Sequence, residues 1–289
     1  KNRKWLEFVF KDVIKNTLIM VFFDFYKKVG LLTAVNLFTQ LRNYIFIPII
    51  ISLSSVSTYG TYVLISTIFS IVSGVYSLGV GYNYRRNVPS IEDQNAKQNY
   101  FYDQFFFGFF SIIVFSACLV LLNDFFLLKY EVENYSAYII PLFLISYFLY
   151  EQFSNYFKYT LKIKYVAVSG FLYAVIPLII VLIFFNTLGL DLNLNYLFGI
   201  IILTQALLSF YLFVKLHKDI GFIIVLAKRS AISLDMKKGL PLVMVFISDL
   251  ILAASDRFVI GYYMSSEHVG LYNVAYMLGV VIMIIPKGI

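Results

Sequence analysis

The side chains able to do chemistry in this sequence are ionisable groups set inside long apolar runs. Arg42 lies within the run 29–51, Asp249, Asp256 and Arg257 within 240–261, and Glu151, Asn155 and Lys158 at the end of 136–157. A charge carried into hydrocarbon costs about 2.5–3.5 kcal/mol on insertion scales, so each of these groups implies a lumen, a partner or a ligand. Arginine offers a planar, permanently protonated fork suited to oxyanions. A carboxyl at membrane depth is suited to a proton or a cation.

Spacing assigns these groups to helix faces. Thr33, Asn36, Gln40 and Asn43 fall at intervals of three and four and share one face. Arg42 projects about 140° from the centre of that stripe by ideal 100° steps, so it either reaches a cavity or pairs with a neighbouring helix. Asp249 and Asp256 are nearly stacked, and Asp249 is expected about 13 Å in from its boundary at 1.5 Å per residue. Asp249 is therefore the stronger candidate for a proton or cation site. Asp256 and Arg257 approach the far interface, where an ion pair, cap or gate is the economical expectation. Tyr147, Glu151 and Asn155, with Lys158 following, form a polar stripe that lines an entrance or sits in the interface. Ser66, Ser70, Ser73 and Ser77 are expected to mark a close helix contact rather than a sugar site. Pro48, Pro141 and Pro177 can bend the helices that carry them.

Positioning such groups requires membrane-spanning helices. Of 289 residues, 61% are hydrophobic and 13% charged, against about 25% charged in soluble domains. The apolar residues fall into eight runs (29–51, 59–81, 103–122, 136–157, 166–185, 195–214, 240–261 and 269–289) near the roughly 20 residues a spanning helix needs. The expected fold is an all-α polytopic transmembrane bundle of about eight spans. Nineteen lysines and arginines fall in alternate loops on one side, whereas the other side carries Lys129 alone. By the positive-inside rule the N-terminus and the basic loops are cytoplasmic. The formal net charge of +7 is thus a topology signal, and no nucleic-acid partner is expected.

Residues 1–28 interleave Trp5, Phe8, Val9 and Val13 with lysines, the pattern of an amphipathic interfacial helix. Residues 216–239 repeat that character as a connector. Sliding the chain on itself by 210 residues aligns Lys27 and Lys28 with Lys237 and Lys238, Leu32 with Leu242, Gly60 with Gly270 and Tyr62 with Tyr272. The expected organisation is an interfacial segment 1–28, a six-helix lobe 29–215, the connector 216–239, and at 240–289 the first hairpin of a second, parallel lobe that is cut short.

Other classes fit poorly. His217 and His268 fall in or beside loops on opposite sides, and no H-E-x-x-H, G-x-S-x-G or P-loop pattern is present. No metal, cofactor or catalytic residue is expected, and a membrane-embedded enzyme is the weaker alternative. Cys118, the single cysteine, is expected to be buried in its helix.

The stretch from Lys237 (KKGLPLVMVFISDLILAASDRFVIGYYMSSEHVGLYNVAYMLG) resembles the polysaccharide or O-antigen flippases of the multidrug/oligosaccharidyl-lipid/polysaccharide exporter superfamily. The resemblance is carried by Gly239-Leu240-Pro241, Asp256-Arg257-Phe258 with Gly261, Gly270-Leu271-Tyr272, and Ala275-Tyr276. Tyr59-Gly60-Thr61-Tyr62 and Leu78-Gly79-Val80-Gly81 before Arg85-Arg86 resemble that family's first hairpin. The resemblance implies a two-lobed bundle around a central cavity that opens alternately to either side of a bacterial cytoplasmic membrane. It also implies a lipid-linked oligosaccharide substrate, contact with membrane lipids, and other polysaccharide-assembly membrane proteins as partners. Arg42, Asn36, Gln40, Asn43, Glu151, Asn155 and Lys158 are then the expected cavity residues. Asp249 and Asp256 are the ion-coupling candidates, and Arg257 is a structural pair or gate. Multidrug exporters and peptidoglycan-precursor flippases of the same superfamily are the alternatives.

Overall fold

The structure is a computed structural model that describes residues 2–122, 138–188, 192–222 and 229–280, with side chains at 26–122, 138–183, 192–222 and 232–279. The side chains of residues 1–25 of the expected interfacial segment, loop 123–135, the middle of the connector and the end of the eighth run lie outside the described residues.

Among the described residues the chain is all-helical. Helix α1 spans Asn2–Leu53, α2 Val56–Val75, α3 Val80–Asn87, α4 Gln94–Leu121, α5 Ile139–Tyr159, α6 Ile163–Leu188, α7 Leu194–Ile220, α8 Arg229–Tyr263 and α9 Ser266–Val280. A 3-10 turn, Val88–Ser90, follows α3. Tyr26–Leu53, Val56–Val75, Gln94–Leu121, Ile163–Ile183 and Leu194–Ile220 are long and apolar enough to cross a membrane. Helices α5 and α8 occupy expected runs but carry more polar residues. The chain is a multi-pass membrane protein.

The starts of α2, α4 and α7 are set by side-chain caps, which satisfy amide groups that have no partner within the helix. The Ser55 hydroxyl accepts from the Thr58 amide at 3.0 Å, Asp93 from the Ala96 amide at 2.9 Å, and Asn193 from the Tyr196 amide at 3.0 Å. The expected helix boundary near residue 28 has no counterpart, since α1 runs through it. Within 216–239, residues up to Ile220 extend α7 and those from Arg229 open α8.

The run 59–81 is not one helix. It breaks after Val75, where Leu78 (φ 46°) and Gly79 (φ 87°) adopt left-handed backbone, which glycine tolerates and leucine resists. The break brings Gly79 against Gly239 of α8: a Cβ on Gly79 would lie 2.3 Å from the Gly239 carbonyl carbon. Carbonyls near the break regain donors from α4, because the Ser111 hydroxyl donates to Tyr76 O (2.6 Å) and Gln104 Nε2 to Val80 O (3.2 Å).

Three buried clusters hold the bundle. Ile65 and Phe69 of α2 pack with Ile112, Leu144, Phe148 and Phe198 from α4, α5 and α7. Phe46 and Ile50 join α1 to Leu64, Val181, Leu197 and Val269. At the end bearing Lys27, Lys162, Lys215 and Lys237, here the lysine-rich end, Phe101, Tyr102, Tyr156, Phe157 and Leu216 form an aromatic-rich cluster. Phe101, Phe105 and Phe109, four apart on α4, stack in series with centroids 5.9 and 6.1 Å apart, as expected of i, i+4 neighbours.

Helices α2 and α9 approach so closely that only glycine fits at the crossing. A Cβ on Gly60 would stand 1.7 Å from Ser266 O, and one on Gly270 would stand 2.5 Å from Val56 O. Ser57 and Ser266 share a hydroxyl hydrogen bond of 2.6 Å, and Asn273 Nδ2 donates to the Tyr59 hydroxyl at 2.6 Å. The 210-residue repeat is therefore also a contact, with its two glycines at the centre.

Candidate functional site

Among the described residues two polar cavities follow one another along α2. The first, about 270 Å³, lies between α1, α2, α8 and α9 and is lined by Arg42, Asn43, Tyr59, Tyr62, Ser66, Thr67, Arg257 and Asn273 over an apolar floor. The second, about 260 Å³, lies nearer the lysine-rich end, where Ser70, Ser73 and Ser77 face Arg85, Tyr147, Glu151, Gln152 and Asn155. From Ser66 to Ser73 the helix rises about 10 Å, so the cavities occupy successive levels of the bundle. The serine stripe expected to form a close helix contact instead lines these two cavities; the close contact of α2 is made by Gly60, on another part of the helix.

Arg42 is held by hydrogen bonds from Nε and Nη2 to Asn43 Oδ1 (3.2 and 2.7 Å) and from Nη1 to Tyr173 O (3.3 Å). Its guanidinium lies 4.9 Å from the Tyr173 ring centroid. The two sequence alternatives therefore coexist: Arg42 contacts the neighbouring helix α6 through a carbonyl and a ring, and it lines the cavity as well. The long side chain closes the angular gap to Asn43. Asn36 is exposed, Gln40 is partly covered, and neither lines the cavity.

Arg257 reaches the same cavity from α8. Its guanidinium lies 4.9 Å from the Tyr276 ring centroid, and its Nε is buried without a hydrogen-bond partner among the described residues. Asp256 does not bind that guanidinium. Its Oδ2 accepts from the Tyr272 hydroxyl and its Oδ1 from the Arg257 backbone amide. Consecutive residues on a helix diverge by about 100°, which frees Arg257 to turn inward. The described lining thus holds two guanidinium groups, several hydroxyl and amide groups, and no carboxylate.

In the second cavity the Tyr76 hydroxyl donates to Glu151 Oε2 at 3.4 Å and accepts from Gln152 Nε2 at 2.6 Å. Asn155, Arg85 and Lys158 lie within electrostatic reach of Glu151. Arg85 sits over the Tyr82 and Tyr159 rings, at 5.6 and 5.7 Å. Lys158 is exposed at the end of α5, and Asp249 is exposed on α8 outside both cavities.

Sequence spacing did not single out Arg85, Tyr76 or Gln152. Arg85 follows the Gly79-Val80-Gly81 break, and a basic residue just past a helix break was the available signal. Among the described residues no group of three or more metal-ligating side chains converges.

A multi-pass helical bundle that encloses polar, arginine-lined cavities has the architecture of a membrane transporter. The chain belongs to the polysaccharide biosynthesis protein family, which matches residues 25–286 and comprises the polysaccharide and O-antigen flippases of the multidrug/oligosaccharidyl-lipid/polysaccharide exporter superfamily. Neither the curated proteins nor the solved structures contain a match to it. Membership gives the chain a transporter-type role in polysaccharide biosynthesis.

Proposed function

We propose that the protein moves a polyprenyl-diphosphate-linked oligosaccharide from the inner to the outer leaflet of a bacterial cytoplasmic membrane, with its N-terminus in the cytoplasm. The observation that carries this reading is the convergence of Arg42 and Arg257 on one cavity whose described lining has no acid. A diphosphate brings about two negative charges, and guanidinium forks match its oxygens. Asn43, Ser66, Thr67 and Asn273 supply hydrogen bonds that replace water on a polar headgroup, while the lipid tail stays in the bilayer. With the cytoplasm negative, outward movement of each anionic charge gains about 2.3 kcal/mol per 100 mV. A drug exporter has no need of paired cations in an acid-free cavity, which disfavours that alternative.

Glu151 is the carboxyl best placed for an ion-coupling role, because it faces a cavity while Asp249 is exposed outside both and Asp256 is occupied by Tyr272. The expected organisation, a six-helix lobe followed by the opening of a second, supports alternating access about α2. Surface display of the glycan, measured per folded transporter in a complementation assay, tests the reading. Loss of display in Arg42→Ala and Arg257→Ala at normal protein level supports it, and normal display in both overturns it.

A further inference from the structure

A third cavity, about 630 Å³, opens at the lysine-rich end, away from the two on α2. Six lysines line it: Lys27 and Lys28 from α1, Lys162 and Lys164 from the α5–α6 turn and α6, and Lys215 and Lys218 from α7. Asp219 is the one acid among the described lining residues, and both its oxygens are engaged, by Lys162 and by the Tyr156 hydroxyl. Lys162 is neutralised in this way, and Lys27, Lys164, Lys215 and Lys218 leave the recess with an excess of positive charge. Lys215 is held near the Tyr165 and Tyr211 rings, at 5.9 and 5.8 Å.

The rest of the lining is apolar, comprising Leu31, Phe157, Leu161, Ile163 and Tyr165. Leu161 is 62% exposed and stands at φ 59° in a left-handed turn closed by Lys162 N to Phe157 O at 2.9 Å. An exposed leucine in left-handed backbone beside lysines makes the recess amphipathic. Charge asymmetry across a membrane requires lysines at this end, but it does not require them to converge. Lys97, Lys237 and Lys238 lie at the same end and line no part of the recess.

We infer that this recess binds the phosphate of an anionic phospholipid from the adjoining leaflet, with the lysines on the headgroup and Leu31, Leu161 and Ile163 against the upper acyl chain. The site is separate from the Arg42–Arg257 cavity, and its occupant is bilayer lipid rather than the transported molecule. A basic cluster beside a membrane helix attracts anionic lipid by about 1 kcal/mol per residue.

The test is native mass spectrometry of the full chain in neutral detergent, titrated with phosphatidylglycerol or phosphatidylcholine. Phosphatidylglycerol should be retained and phosphatidylcholine not. Lys27→Gln/Lys164→Gln, which alters two exposed side chains and leaves the packed ones intact, should raise the half-saturating concentration by about thirtyfold, the product of two such contributions. Lys27→Arg/Lys164→Arg should restore retention, and Lys237→Gln/Lys238→Gln should not change it. Equal retention of the two lipids, or no effect of the Lys27/Lys164 pair, overturns the proposal. So does displacement of phosphatidylglycerol by equimolar inorganic phosphate, which makes the site one for free anions, or by equimolar polyprenyl diphosphate, which makes it one for the substrate. Failure of the Arg42→Ala transport assay to show an effect leaves this titration unaltered, so the two readings fail separately.

Discussion

Gly60 and Gly270 contact each other's helices reciprocally: Gly60 lies against the carbonyl oxygen of Ser266, and Gly270 against that of Val56, the residue 210 positions earlier. Each glycine thus meets the residue four before its own counterpart. Backbone lies on both sides of the crossing, so an added methyl cannot be absorbed by a side-chain rotation. Gly60→Ala and Gly270→Ala should each destabilise the folded protein by about 1–3 kcal/mol, the usual effect of overpacking. Gly199 of α7, where a Cβ would meet open space, is the control, and Gly199→Ala should be neutral or stabilising by up to about 1 kcal/mol. Thermal unfolding in detergent compares the three variants; equal melting of Gly60→Ala and wild type would remove the crossing as a constraint.

Arg42→Lys keeps the charge but loses the bidentate fork and the contacts to Asn43 and Tyr173. It should retain partial transport. Arg42→Ala should reduce transport per folded molecule about tenfold or more, in line with about 1.5–3 kcal/mol for hydrogen bonds to a charged group. Arg257→Ala should act in the same direction, and the double variant should show less than the sum, because both cations serve one anion. A purely structural role predicts lower protein level with normal turnover, so glycan display must be divided by the quantified membrane fraction.

Glu151→Gln preserves the hydrogen bonds around Tyr76 and removes the charge. It should abolish dependence of transport on the ion gradient while leaving the protein inserted. Asp249→Asn, on an exposed position outside both cavities, should leave that dependence unchanged. The reverse pattern, measured as transport against an imposed pH or sodium gradient, would return Asp249 to the mechanism and exclude Glu151.

Orientation is checked by labelling single cysteines with an impermeant thiol reagent. Cys118 is exposed, contrary to the buried position expected from its apolar run, so it must first be replaced by serine. Cysteine at Ser55 should then react in intact cells, and at Asn95 or Lys162 only after permeabilisation. Reaction of Asn95→Cys from outside would invert the assignment.

The helices were legible because their apolar runs match membrane thickness, a constraint that acts on about 20 consecutive residues at once. The break at Tyr76–Gly79 was not, since it depends on a meeting of Gly79 with Gly239, a residue 160 positions away. Arg42 was found by charge alone, whereas its reach to Asn43 depends on a long side chain that ideal helical angles ignore. Sequence alone leaves Arg257 an ion pair, a cap or a gate, with Asp256 beside it as the available partner. The structure gives that partner, Asp256, to Tyr272 and turns the guanidinium inward. The serine stripe on α2 illustrates the same limit: spacing assigns a face, but only the packed neighbours decide whether that face meets a helix or a cavity.

The reciprocal crossing of α2 and α9 has the form of an isologous interface, the self-complementary patch by which two identical subunits associate about a two-fold axis. Here both halves of the patch belong to one polypeptide. A duplicated and fused ancestral hairpin would inherit such a patch intact, and covalent linkage would then release most surrounding positions from keeping identical sequences. Gly60 and Gly270 would not be released, because a change at either glycine is met by backbone contributed from the other copy. Descent from a homodimer would therefore survive in this chain as a geometric constraint at a single crossing.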